Sequence, residues 1–112
     1  MIHIEIVEDI NKAMNELTLE KMRKDPRKHV MFMTIEQFHH TFSPERVRLL
    51  MILKKEGTMS ISDLARKVGR KFEAVHRDLR YLEGIVKFRK EERRRIPYID
   101  EGIDVRMLSA KA

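Results

Sequence analysis

An α+β fold, mostly helical, is what this sequence predicts, on three observations: three short amphipathic helices divided by single glycines, a charged stretch with hairpin spacing directly after them, and alternating strands at both ends. The opening residues alternate, with Ile2, Ile4 and Ile6 on one side and His3 and Glu5 on the other, and predict a half-buried strand over 2–7. From Asp9 the period changes. Ile10, Ala13, Met14, Leu17 and Met22 fall near helical spacing, and the helix they form is expected to fray by Asp25, because the residue before Pro26 is pushed out of the helical region. Residues 25–28 read as a polar connector. The brief apolar run Val30, Met31, Phe32, Met33 predicts a strand, and Ile35, Phe38 and Phe42 predict a short helix.

Ser43-Pro44 is the sharpest local signal in the chain. A serine N-cap satisfies a free N–H, and proline at the first helical position forfeits no bond the helix would have used. Val47, Leu50, Met51 and Leu53 predict the buried stripe of the helix that follows, and Gly57 its left-handed exit. Ser60 and Asp63 form a capping-box-like pair opening a two-turn helix with Leu64, Ala65 and Val68 inside, closed by Gly69. After a three-residue turn, Phe72, Val75, Leu79 and Leu82 predict the inner face of a third helix, which Gly84 ends. Val86 and Phe88 then alternate with Lys87 and Arg89, five charged residues follow from Lys90 to Arg94, and Ile96, Pro97 and Tyr98 return. This is a hairpin with a charged tip, and Pro97 is expected at a sheet edge or where pairing stops. Ile103, Val105 and Met107 predict a last strand that pairs with the first, since both are short and otherwise edge-exposed.

Three helices followed by a charged hairpin make a winged helix-turn-helix. We therefore divide the chain into an N-terminal strand and helix extension (1–42), expected to dimerise; the winged helix-turn-helix (43–99); and a C-terminal strand and tail (100–112). At 112 residues one modest core is expected. The chain has no cysteine, which removes disulfides and thiolate metal sites and fits a reducing interior, so cytoplasm is the expected location. Its apolar runs fall short of a membrane span, and its acidic start is unlike a secretory signal. Metal, cofactor and enzymatic activity are not expected. His39 and His40 are adjacent and cannot share a helix face, and neither a nucleophile with its base nor a glycine-rich phosphate loop is present. The eight methionines read as core filler.

The charge is uneven. Residues 44–99 carry sixteen Lys/Arg against eight Asp/Glu, whereas residues 1–43 carry six against seven and residues 100–112 two against three. A surface matched to phosphates has this asymmetry. In the winged arrangement the third helix, about 71–83, enters the major groove and the wing, about 86–98, reaches the adjoining groove or backbone. Arg70 and Lys71 stand at the helix N-terminus, where free N–H groups favour a phosphate. Glu73, Ala74, Arg77 and Arg80 point outward. Ala74 permits close approach, and Arg77 is the candidate for bidentate contact with guanine. In the wing, Lys87, Arg89, Lys90, Arg93, Arg94 and Arg95 outnumber Glu91 and Glu92. With Ser60 these complete the expected DNA-contacting set. Surface pairing of Glu73 with Arg77 and of Arg80 with Glu83 is the competing reading, which would leave both arginines as solvated helix charges.

The stretch from Ser43 to Val105 resembles a family of small archaeal and bacterial transcriptional regulators with a winged helix-turn-helix, within the MarR-like and ArsR-like superfamily. The resemblance is carried by Ser43-Pro44, Ser60 with Leu64-Ala65-Arg66, Gly69-Arg70, Val75-His76-Arg77-Asp78 and Ile96-Pro97-Tyr98. The chain departs from it at Lys71-Phe72, where Asp-Tyr is frequent, and at Ile85, where leucine is. The resemblance implies a sequence-specific, double-stranded DNA-binding regulator, and a homodimer is expected from the apolar stripes of the N-terminal extension. An interaction module that takes a protein partner, or an RNA-binding module, is the alternative.

Overall fold

The computed structural model describes residues 1–12 and 29–107. The chain forms two compact units, Met1–His40 with Glu101–Ala112, and Thr41–Asp100.

In the first unit three strands, β1 (Ile2–Ile6), β2 (His29–Met33) and β5 (Ile103–Met107), form one parallel sheet in the order β2-β1-β5. The expected pairing of first and last strands is present, with Ile2 opposite Ile103 and Ile6 opposite Met107. The half-buried character is not. With a neighbour on each side β1 is central, so Ile2, His3 and Ile4 are all buried, and alternation gives way to burial on both faces. His3 meets its polar requirement through Asp104 Oδ2, 3.3 Å from Nδ1 and directly opposite in the register. Asp9 opens a helical turn at Ile10 by accepting from Lys12 N–H at 3.1 Å. The rest of the stripe proposed there, Ala13 to Met22, lies outside the described residues, as does the connector at 25–28. Helix α1 (Ile35–Thr41) begins with a reciprocal cap: Thr34 Oγ1 accepts from Gln37 N–H at 3.2 Å, and Gln37 Oε1 accepts from Thr34 N–H at 3.0 Å. It buries no residue, and Ile35 is exposed.

The second unit contains α2 (Pro44–Glu56), α3 (Ile61–Val68), α4 (Phe72–Tyr81) and an antiparallel hairpin of β3 (Lys87–Glu91) and β4 (Arg94–Tyr98). Helices followed by a ribbon, in that order, are the winged-helix arrangement. Ser43 caps α2 by accepting from Arg46 N–H, with Pro44 at the first position. The buried stripe of α2 is Arg46, Leu49, Leu50 and Leu53. Met51, expected inside, is 65% exposed, and Val47 is only half-buried. Apolar residues lie on more than one side of this helix, and its phase is set by Arg46, which a buried carboxylate draws inward. Gly57 has φ 87° and ψ −169°: it takes the positive φ that favours glycine, but its ψ lies outside the left-handed helical region expected of the exit.

Gly69, at φ 67° and ψ 35°, is the left-handed cap expected for α3. Ile61, Leu64 and Ala65 are the buried residues of α3, while Val68 is half-buried. Val75, Leu79 and Leu82 are buried as expected, but Phe72 is 45% exposed. As the first residue of α4 it lies past the edge of the core, and its ring stacks on His76 with centroids 5.9 Å apart. The helix ends at Tyr81, short of Gly84. Leu82 is buried, its carbonyl takes the N–H groups of Ile85 and Val86, and Gly84 turns the chain with φ 96°.

The hairpin tip narrows to two residues, Glu92 and Arg93, with Glu92 at φ 56° as a short hairpin turn requires at its first position. Pairing does not stop at Pro97, which stands opposite Phe88. Counting in twos from the closing pair Glu91 and Arg94, position 97 is one whose N–H points away from β3, so proline forfeits no ladder bond.

Candidate nucleic-acid interface

Helix α4 is held in place by a charged cluster beneath it. Asp78 interrupts the apolar stripe of Val75, Leu79 and Leu82 and is itself buried. Its Oδ1 accepts from Arg46 Nε at 3.2 Å, and Arg70 Nη2 lies 2.6 Å from its Oδ2. Arg46 is also buried, and its guanidinium lies 4.0 Å from the centroid of the Tyr81 ring. One carboxylate therefore ties α2 and the turn between α3 and α4 to the middle of α4. Buried charges must be paired, since an isolated one costs far more than the pair. Of this cluster the sequence reading foresaw only Arg70, and as a phosphate contact. A carboxylate at a core-facing position was the available signal, because it demands a cation nearby.

The outer face of α4 carries Glu73, Arg77 and Arg80, all exposed, with Ala74 half-buried. Neither competing ion pair forms: among the described residues no salt bridge joins Glu73 to Arg77 or Glu83 to Arg80. Lys71, at the N-cap of α4, is exposed and makes no side-chain cap bond. A cleft of about 310 Å³ is lined by Ile61 of α3, by His76, Arg80 and the neighbouring Glu83, and by Phe88 and Arg95 of the hairpin. Arg80 thus faces the ribbon. Arg95 lies over the Phe88 ring at 4.6 Å, which holds its guanidinium at the cleft. Lys90, Arg93 and Arg94 are exposed around the tip.

Four candidates are occupied within the protein. Ser60 caps α3, accepting from Asp63 N–H at 3.1 Å. Arg70 is bound to Asp78, Lys87 lies 3.0 Å from Asp100, and Arg89 lies 3.1 Å from Glu91. The Asp63 carboxyl is held below the usual carboxylate range, first by a hydrogen bond from the Ser60 hydroxyl, then by Arg66, with a smaller contribution from the charge of Arg94. A depressed folded-state value means that the stabilisation is present above the unfolded carboxyl range and lost as pH falls through the folded value. We expect the thermal midpoint of Asp63→Asn to lie below that of the parent at about pH 6, and the gap to narrow as pH falls below the ordinary carboxylate range, which scanning calorimetry over a pH series reads. Ser60→Ala removes the cap outright and is expected to cost about 1 kcal/mol at neutral pH.

With this geometry in view, the sequence model of the HVO_A0114 family matches residues 41–101. The chain belongs to the HVO_A0114 family. The matched segment runs from the last residue of α1 to just past the hairpin, so family membership rests on the unit that holds α4 and the ribbon. This HVO_A0114 member is also similar to a solved structure described as a possible transcriptional regulator for arsenical resistance. The two share 29% identity at a TM-score of 0.52, over 60% of this chain and 71% of that one. That likeness supports a winged-helix regulator fold. No curated protein matches the chain. No helix among the described residues is long and apolar enough to cross a membrane.

Proposed function

We propose that this HVO_A0114 family member is a double-stranded DNA-binding transcriptional regulator, with α4 in the major groove and the β3-β4 ribbon on the adjoining groove or backbone. It works as a homodimer in the cytoplasm and is not an enzyme. The observation that carries the reading is the cleft shared by Arg80 of the helix, beside Glu83, and Arg95 of the ribbon, with Arg77 of the same helix and Lys90, Arg93 and Arg94 of the hairpin exposed and in no salt bridge among the described residues. A helix and a ribbon presenting unneutralised cations to one side match two features of a duplex, groove and phosphate, at once. The similar solved protein, described as a possible transcriptional regulator, supports the same reading.

Arg70, Lys87 and Arg89 now carry less of the proposal than Lys71, Arg77, Arg80, Lys90, Arg93 and Arg94, because their charge is already partnered inside the protein. The exposed position of Arg77, with no acidic partner among the described residues, keeps it the candidate for base readout. Arg77→Ala is expected to relax the preference among operator variants by about 1–3 kcal/mol. Competition binding over a site series selected from random duplexes reads this, and an unchanged ranking would remove Arg77 from the reading. The same selection gives the half-site spacing, expected at one or more helical turns for a dimer.

A further inference from the structure

Among the described residues nothing pairs with the outer edge of β5, although β1 covers its inner edge. Natural sheet edges are often blunted by proline, by bulges, by charged side chains or by a covering element, because a bare row of N–H and C=O groups recruits another strand. β5 has no proline and no bulge, and its two charges are of opposite sign, so they do not repel a second copy as like charges would. Its sequence, Ile-Asp-Val-Arg-Met, contains no proline or glycine and one charge of each sign. Val105, at the centre, is 44% exposed.

The order of those charges specifies a partner. A two-fold axis through Val105 pairs β5 antiparallel with a second copy of itself. Val105 then meets Val105, Ile103 meets Met107, and Asp104 meets Arg106 from both directions. Within one chain Arg106 Nε already donates to Asp104 Oδ2 at 2.8 Å, so the two side chains share a face of the sheet. Doubling that face gives four charges of alternating sign in which every neighbour is opposite. Opposite charges across a strand pair are stabilising and like charges are not. Arg106, and after it His3, hold the Asp104 carboxyl below the usual range, so it is ionised at neutral pH. The other edge offers no such instruction. Self-pairing of β2 about Met31 would set Val30 against Phe32 and His29 against Met33, with no carboxylate to fix a register.

From this self-complementarity we infer that the outer edge of β5 is the homodimer contact, pairing antiparallel with β5 of a second copy to join two three-stranded sheets into one of six strands. The inference deepens the homodimer part of the proposed function and is independent of DNA binding.

Two experiments on the full chain test it. In sedimentation equilibrium at micromolar concentration the parent is expected to be a dimer. Asp104→Arg alone sets arginine against arginine, and Arg106→Asp alone sets aspartate against aspartate. Each is expected to raise the dissociation constant about tenfold or more, while the swap Asp104→Arg with Arg106→Asp restores dimerisation. The chain has no cysteine, so a single introduced one reports proximity without interference. Val105→Cys is expected to give a disulfide-linked dimer under mild oxidation, because strand partners stand at a separation a disulfide spans, and Met31→Cys on β2 is not. Circular dichroism establishes which variants are folded, and cross-linking remains decisive if a charge variant is not. A monomeric parent would overturn both the dimer and this contact. A dimeric parent that is indifferent to both single charge reversals, or that cross-links through Met31→Cys and not Val105→Cys, would overturn the β5 contact alone.

Discussion

Asp78→Ala is expected to destabilise the Thr41–Asp100 unit by about 3–5 kcal/mol, the usual consequence of removing one partner from a buried ion pair. The variant leaves the guanidinium of Arg46 buried and short of its carboxylate, and it frees Arg70 from the turn before α4. Urea unfolding followed by far-ultraviolet circular dichroism measures the loss, a large share of the roughly 5–15 kcal/mol available to a domain of this class. Breaking the pair and replacing it are different changes. Arg46→Met combined with Asp78→Leu removes the two buried charges together and is expected to recover most of the stability, because the cation left over, Arg70, is partly exposed and can turn to water. A loss below about 1 kcal/mol for Asp78→Ala would show that water reaches and solvates Arg46 in the variant, and that the cluster does not hold α4.

Arg93→Ala with Arg94→Ala is expected to weaken binding to duplex DNA on the order of fifty-fold at about 0.1 M salt, if each side chain neutralises one phosphate. The same variant should flatten the dependence of log K on log salt by about 0.9 per contact, or about 1.8 in total. Both arginines are exposed at or beside the tip, away from the core of the unit, so unfolding free energy should change little. That separation is what makes the measurement informative. A slope equal to that of the parent would mean that the ribbon does not meet the backbone, and would favour the reading in which the winged helix takes a protein partner. The ranking of operator variants is expected to survive in this variant, in contrast to Arg77→Ala, because phosphate contacts position the protein without reading sequence.

The helix starts and stops were legible because they depend on residues adjacent in the chain. Ser43-Pro44, Ser60 with Asp63, and Gly69 each satisfy or release a local backbone group, and the structure places a cap at all three. Thr34 with Gln37 is a cap of the same kind that the sequence reading passed over. The hairpin and the pairing of first and last strands were legible from alternation, whose period differs from that of a helix. Less legible was which face of an element the core takes. On α2 the candidate stripes differ by one residue in phase, and Met51 was assigned to the wrong one. Phe72 has the composition of a core residue but stands one turn beyond the core.

By itself the sequence determined the order of helices and hairpin in the second unit, the starts of those helices and the concentration of positive charge in residues 44–99. Those are sums of local preferences or counts, and they need no knowledge of what packs on what. Only the tertiary structure decided which cations are spent inside the protein, since an arginine in the sequence looks the same whether it meets solvent or a carboxylate 32 residues away, as Arg46 does. It also decided that β1 is central and β5 an edge, because strand order depends on backbone hydrogen bonds between segments about a hundred residues apart.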